Sequence, residues 1–174
     1  MQYISWNCKG LGSTIKEEAI RDLVRANMPE FLLIQETKME EEALLRASNS
    51  FWKKGPRRAV SARGALGGLA TFWDSSKLDL LEENGTTHWL YTKLLHKDSG
   101  HSVSIFNMYV HVLFAEKKEC WNSLKLFLNQ HNPKNLIVAR DLNVTLALAK
   151  KRGGSIVRDP AREWVEDLML DWDL

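Results

Sequence analysis

Apolar residues fall along the chain in short runs, and four of these runs lead into a polar side chain. Residues 3–5 give way to Trp6-Asn7, 31–34 to Glu36, 103–106 to Tyr109, and 136–138 to Asp141 and Asn143. Such runs read as buried strands. Between them the spacing becomes helical: Ile20, Leu23 and Val24 follow Thr14-Ile15-Lys16-Glu17, which has capping-box form, and the pattern stops at Asn27-Met28-Pro29. The first unit therefore reads strand, loop, helix, strand.

A short helix carrying Leu44 and Leu45 follows residues 40–42, and an irregular stretch rich in basic residues and glycine leads to a strand over 69–73. Asn84-Gly85 separates 78–81 from 89–95, and Asp98-Ser99-Gly100 separates the latter from 103–109, so this middle region is predicted to be antiparallel. Trp121, Leu124 and Leu128 mark one helix face. Asp159-Pro160 predicts an N-cap followed by proline at the first helical position, with Trp164 and Leu168 on the buried side. No repeat, linker or low-complexity tract interrupts the pattern, which predicts a single α/β domain over 1–174.

Composition changes this picture little. A chain of 174 residues can bury a substantial core, and a formal charge of +2 does not by itself argue for nucleic acid, whose partners carry clustered rather than net charge. Cys8 and Cys120 are isolated, with no metal-ligand spacing, and read as reduced thiols. No apolar stretch approaches the roughly 20 residues needed to span a bilayer, and the N-terminus enters a strand without a basic and then apolar segment. Nucleus or cytoplasm is the expected location, with no membrane partner.

Where strands alternate with helices, ligands bind beyond the carboxyl ends of the strands. The groups expected there are Asn7, Glu36, Tyr109, Asp141 and Asn143. That set suits a hard cation holding a phosphate ester, because Mg²⁺ takes oxygen ligands from one or two carboxylates and keeps the rest of its shell for water and phosphate. Glu36 would be the carboxylate, Asp141 would orient or deprotonate a water, and the amides and the phenol would donate to phosphate oxygens. Taken singly, each of these residues reads rather as a loop carboxylate, a turn former or a strand aromatic, and the functional reading depends on the set.

The residues Ile4-Ser5-Trp6-Asn7-Cys8-Lys9-Gly10-Leu11-Gly12, Leu33-Ile34-Gln35-Glu36-Thr37-Lys38, Gly67-Gly68-Leu69-Ala70, Asn107-Met108-Tyr109 and Asp141-Leu142-Asn143-Val144 occur in an order that resembles the endonuclease/exonuclease/phosphatase superfamily. More narrowly, the chain resembles the endonuclease module of plant LINE-type retrotransposons. The resemblance implies a four-layered αββα sandwich of the deoxyribonuclease-like type that cleaves phosphodiesters with Mg²⁺ or Mn²⁺. By position it implies that Asn7 and Glu36 organise the metal, Tyr109 contacts the scissile phosphate, Asp141 positions the attacking water and Asn143 binds a phosphate oxygen.

The superfamily pattern also includes a Ser-Asp-His element, which these 174 residues lack. The expectation is that the chain is the N-terminal part of the domain, incomplete at its C-terminus, with weakened turnover. Leu142 stands where relatives carry an aromatic, and Val110-His111 follow Tyr109 in place of Gly and Pro. His111 has no carboxylate partner at a suitable spacing. The functions that remain are a DNA-nicking endonuclease, a catalytically impaired remnant that still binds nucleic acid, and a phosphatase of the same superfamily. Oligomeric state is not legible.

Lys53, Lys54, Arg57 and Arg58, and Lys150-Lys151-Arg152, are the candidate nucleic-acid contacts or else solvated surface. Gly64, Gly67 and Gly68 read as a tight turn in preference to a phosphate cradle, and Trp52 and Trp73 as core in preference to base-stacking platforms.

Overall fold

The computed structural model describes residues 1–64, 66–111, 113–141 and 161–172, which form two compact units. The first, Met1–Tyr109 with Pro133–Asp141, contains β1 (Tyr3–Asn7), α1 (Thr14–Asn27), β2 (Phe31–Gln35), α2 (Glu41–Ser48), β3 (Arg57–Val60), β4 (Leu69–Trp73), β5 (Leu78–Gly85), β6 (Trp89–His96), β7 (Ser102–Tyr109) and β8 (Leu136–Asp141). The second, Val110–Asn132 with Leu142–Leu174, contains α3 (Phe114–His131) and α4 (Ala161–Asp171).

Two four-stranded sheets make up the first unit, ordered β1-β2-β4-β3 and β5-β6-β7-β8. Each has one parallel pair, β1 with β2 and β7 with β8, and its other pairings are antiparallel. The predicted antiparallel middle is thus β5-β6-β7.

Strand β2 shows why its run is apolar at consecutive positions. Leu32 and Ile34 pack with Ile20 and Val24 of α1, Leu44 of α2, Trp52 and Phe72. Phe31 and Leu33 pack instead with Trp73, Leu94 and Ile105. Successive side chains point to opposite faces, so one strand serves both a helix layer and the second sheet. Trp52 and Trp73 are buried in these two layers and act as core.

Three local expectations change. The irregular stretch contains β3, an edge strand whose two arginines and partial exposure dilute the period-2 signal; charged side chains are common on such edges. Helix α1 is capped one residue early: Ser13 is the N-cap, Thr14 is helical, and Ser13 makes no side-chain cap bond. The Glu17 carboxylate does not close a capping box but accepts from Ser50 Oγ at 2.8 Å. In α4, Val165 is fully buried and Trp164 only partly; the Leu168 side chain and Asp159-Pro160 lie outside the described residues.

In the second unit, Lys117, Cys120, Trp121, Leu124, Phe127 and Leu128 form the buried stripe of α3, and Phe114 meets the Trp164 ring at 5.3 Å. No described helix is long and apolar enough to cross a membrane.

Candidate active site

The ladder between β1 and β2 continues past the strand ends. Cys8 N donates to Gln35 O at 3.0 Å, Gly10 N to Glu36 O at 2.6 Å and Leu11 N to Thr37 O at 2.8 Å. The returning chain closes the other side, where Thr37 N donates to Gly68 O at 3.1 Å and Lys38 N to Gly67 O at 3.0 Å. Glu36 thus sits in a segment held from both flanks.

That clamp holds unusual backbone. Lys9, Glu36 and Lys38 have φ of 49°, 53° and 54°, in the left-handed region. For non-glycine residues such conformations cost on the order of 1 kcal/mol each and persist only where the surroundings impose them. Asn7 turns the first loop, its Oδ1 accepting Lys9 N at 3.1 Å. Lys16 Nζ gathers the same loop from beneath, donating to the carbonyls of Cys8, Lys9 and Gly10 at 2.8, 2.9 and 2.5 Å. Burial pushes the Cys8 thiol above its ordinary pKa, although backbone hydrogen bonding and Lys16 oppose the shift.

The glycines permit the close approach. Arg63 and Leu66 exchange backbone hydrogen bonds of 2.9 and 3.2 Å around a turn through Gly64, as the sequence predicts. Gly67 follows at φ 73°, and a Cβ there would meet the Tyr109 ring at 3.6 Å. Gly68 has φ 84°, and a Cβ there would overlap Thr37 Oγ1.

Tyr109 approaches from the second sheet. Its ring is buried with Leu69, Leu90 and Val60, and its backbone stands in parallel register with Asp141 at the end of β8. The carboxyl ends of both parallel pairs, one from each sheet, therefore meet at one end of the first unit, with Asn7 and Glu36 on one side and Tyr109 and the Asp141 backbone on the other. The Asp141 side chain, Asn143 and Lys150-Lys151-Arg152 lie outside the described residues.

Lys53, Lys54 and Arg57 are not brought to this end. Lys54 Nζ donates to Pro29 O at 3.2 Å, just before β2, so at least the length of that strand, roughly 16 Å, separates this contact from Glu36. Arg57 donates to Asn49 Oδ1 at 2.7 Å, and Arg58 pairs with Glu83. The exposed cations beside Glu36 are Lys9 and Lys38. Sequence reasoning did not single out Thr37, Lys38 or the buried amides Gln35 and Asn107, although all four lie in the strings that carry the family resemblance. A polar amide continuing a buried apolar strand, Gln35 at the end of β2 and Asn107 inside β7, was the available signal.

A family model described as Endonuclease/Exonuclease/phosphatase family matches residues 4–156. Among solved structures, the chain is similar to the AP endonuclease LMAP from Leishmania major, with 18% identity, TM-score 0.68, and coverage of 98% of this chain and 66% of that one. It is also similar to the mannosyl-6-phosphatase Bt3783 of Bacteroides thetaiotaomicron, with 15% identity, TM-score 0.63, and coverage of 83% and 66%. A third is the 3' phosphatase NExo from Neisseria, in a variant form bound to product DNA hairpin, with 15% identity, TM-score 0.64, and coverage of 97% and 70%. The chain thus spans about two thirds of the length of these proteins. The shared fold is the deoxyribonuclease-like α/β type. No curated protein matches the sequence significantly.

Proposed function

The chain belongs to the endonuclease/exonuclease/phosphatase family, and from that membership we propose that it is a divalent-metal-dependent phosphodiesterase that nicks DNA, a nuclease of retrotransposon origin. The observation that carries the reading is the meeting of Asn7, Glu36 and Tyr109 with the end of β8, around a glutamate held in a left-handed conformation.

The donor set fits Mg²⁺ or Mn²⁺. Glu36 offers a half-buried carboxylate and Asn7 an amide oxygen, hard ligands that leave most of a coordination shell for water and phosphate. When bound, the ion would neutralise charge developing on the scissile phosphate. Tyr109 would contact that phosphate and Asn143 would donate its amide to a phosphate oxygen. Asp141 would orient the attacking water and take its proton as the water oxygen bonds to phosphorus. The bond to the leaving deoxyribose oxygen breaks, and that oxygen is protonated from solvent. Lys150, Lys151 and Arg152 are the proposed contacts to flanking DNA, with Lys9 and Lys38 nearest the chemistry, whereas Lys53, Lys54 and Arg57 lie toward the other end of β2 and Arg58 is paired with Glu83.

A plasmid-nicking assay tests the proposal. Supercoiled DNA should be nicked with Mg²⁺ or Mn²⁺, and both EDTA and Glu36→Ala should abolish the nicking. Activity that survives either treatment overturns the reading.

A further inference from the structure

One ammonium group stands behind both proposed metal ligands. Lys16 Nζ donates to the carbonyls of Cys8, Lys9 and Gly10 at 2.8, 2.9 and 2.5 Å. We propose that Lys16 is a positioning residue for the metal, setting Asn7 and Glu36 in place through three consecutive peptide planes. The inference rests on the proposed phosphodiesterase reading and adds to it a residue that acts without touching the ion or the DNA.

A trans peptide unit is planar, so its carbonyl and its N–H point in opposite directions and move together. The unit that carries the Cys8 carbonyl also carries Lys9 N, which donates to Asn7 Oδ1 at 3.1 Å. The next unit carries the Lys9 carbonyl and Gly10 N, which donates to Glu36 O at 2.6 Å. The third carries the Gly10 carbonyl and Leu11 N, which donates to Thr37 O at 2.8 Å. At one edge all three planes end on Lys16. At the other they end on the Asn7 side chain and on the backbone of Glu36 and Thr37.

Three carbonyl oxygens turned toward one point repel one another, and Lys9 and Gly10 adopt φ of 49° and 96° in the loop that turns them there. A lysine ammonium has three donors, and here each meets one of these oxygens. No described carboxylate pairs with it. Lys16 also stands in the first turn of α1, where the helix dipole disfavours a cation. The loop, not the helix, accounts for a lysine at this position.

Positioning and plain charge predict opposite signs. Repulsion between Lys16 and a divalent ion opposes binding, so by charge alone loss of the ammonium would tighten the site. If Lys16 sets the ligands, its loss loosens the site.

The test uses the whole chain and Mn²⁺ followed by electron paramagnetic resonance, with Glu36→Ala as the baseline. Lys16→Met keeps the stem and removes the ammonium, and is expected to weaken Mn²⁺ binding about tenfold, the usual scale for a group that orients a metal ligand. In plasmid nicking at saturating Mn²⁺, kcat should fall about tenfold while KM for DNA stays within about twofold. Lys16→Arg keeps the charge, but its planar guanidinium spreads its donors over separate nitrogens, so it should weaken Mn²⁺ binding as well. If the parent nicks DNA and Lys16→Met binds Mn²⁺ as tightly as the parent or more tightly, the proposal is wrong and the phosphodiesterase reading stands. A lower melting temperature with unchanged Mn²⁺ affinity also overturns it, because Lys16 would then only stabilise the loop. A parent that neither binds Mn²⁺ nor nicks DNA overturns both. Should Lys16→Met fail to fold, Lys16→Arg decides alone.

Discussion

Gln35 Nε2 donates to Asn107 Oδ1 at 2.6 Å in the buried interior between the two sheets. Asn107 Nδ2 in turn donates to Ile34 O at 3.2 Å and Ala70 O at 2.8 Å. A buried amide is costly unless satisfied, and these two satisfy each other together with backbone of β2 and β4. The tie sits one residue before Glu36 and two before Tyr109, so it fixes the register in which the two halves of the site meet. Asn107→Leu should therefore destabilise the protein by about 2–4 kcal/mol, because it strands carbonyls and the Gln35 amide. Urea unfolding measures this, and a Gln35→Ala/Asn107→Ala double-mutant cycle should show a coupling of about 1 kcal/mol or more.

Gly68→Ala should be severe for two separable reasons. The new Cβ would overlap Thr37 Oγ1, and φ 84° disfavours any L side chain. The expected loss is about 2–4 kcal/mol. Adding Thr37→Ala should recover the overlap part but not the backbone part, so the double variant should melt between the parent and Gly68→Ala.

Glu36→Gly should separate stability from function. Glycine adopts φ 53° without strain, so the change should be neutral or stabilising by about 0.5–1 kcal/mol after its own entropy cost. The carboxylate is lost, however. Mn²⁺ should raise the melting temperature of the parent by mass action and leave that of Glu36→Gly unchanged.

Cys120 sets an alkaline limit on stability. Burial, with a smaller contribution from Glu119, pushes its thiol up to about 12 from an ordinary 9.0. Below about pH 9 the thiol is protonated in folded and unfolded chains alike, and its contribution is complete. Between about pH 9 and 12 the unfolded chain loses the proton first, so stability falls as pH rises. Cys120→Ala should flatten that part of the profile in chemical denaturation between about pH 8.5 and 11. Native Cys120 should also resist alkylation at about pH 8, because the thiolate is the reactive form.

Much of the fold is legible in the sequence because burial on both faces writes itself as continuous apolar runs. Strands β2, β4, β6 and β7 carry such runs, and Asp98-Ser99-Gly100 falls between β6 and β7 as expected, whereas Asn84-Gly85 belongs to the end of β5, paired with Tyr91 and Leu90, and the turn follows at Thr86-Thr87-His88. Strand β3 was not legible. An edge strand needs only one partner and tolerates arginine, so Arg57-Arg58-Ala59-Val60 looks like a loop. The capping box failed for a similar reason: Glu17 had a better partner in Ser50, 33 residues away in sequence.

The sequence by itself determined which polar groups stand at the carboxyl ends of the strands, since a carboxylate or amide after an apolar run lies at a strand end whatever the sheet order. Only the tertiary structure decided that the ends of β1 and β2 face those of β7 and β8, because that depends on Gln35, Asn107, Gly67 and Gly68 acting across the gap between sheets. It likewise sent Lys54 and Arg57 toward the start of β2, away from Glu36. Local spacing reports which face of an element is buried; it holds no information on which distant element covers it.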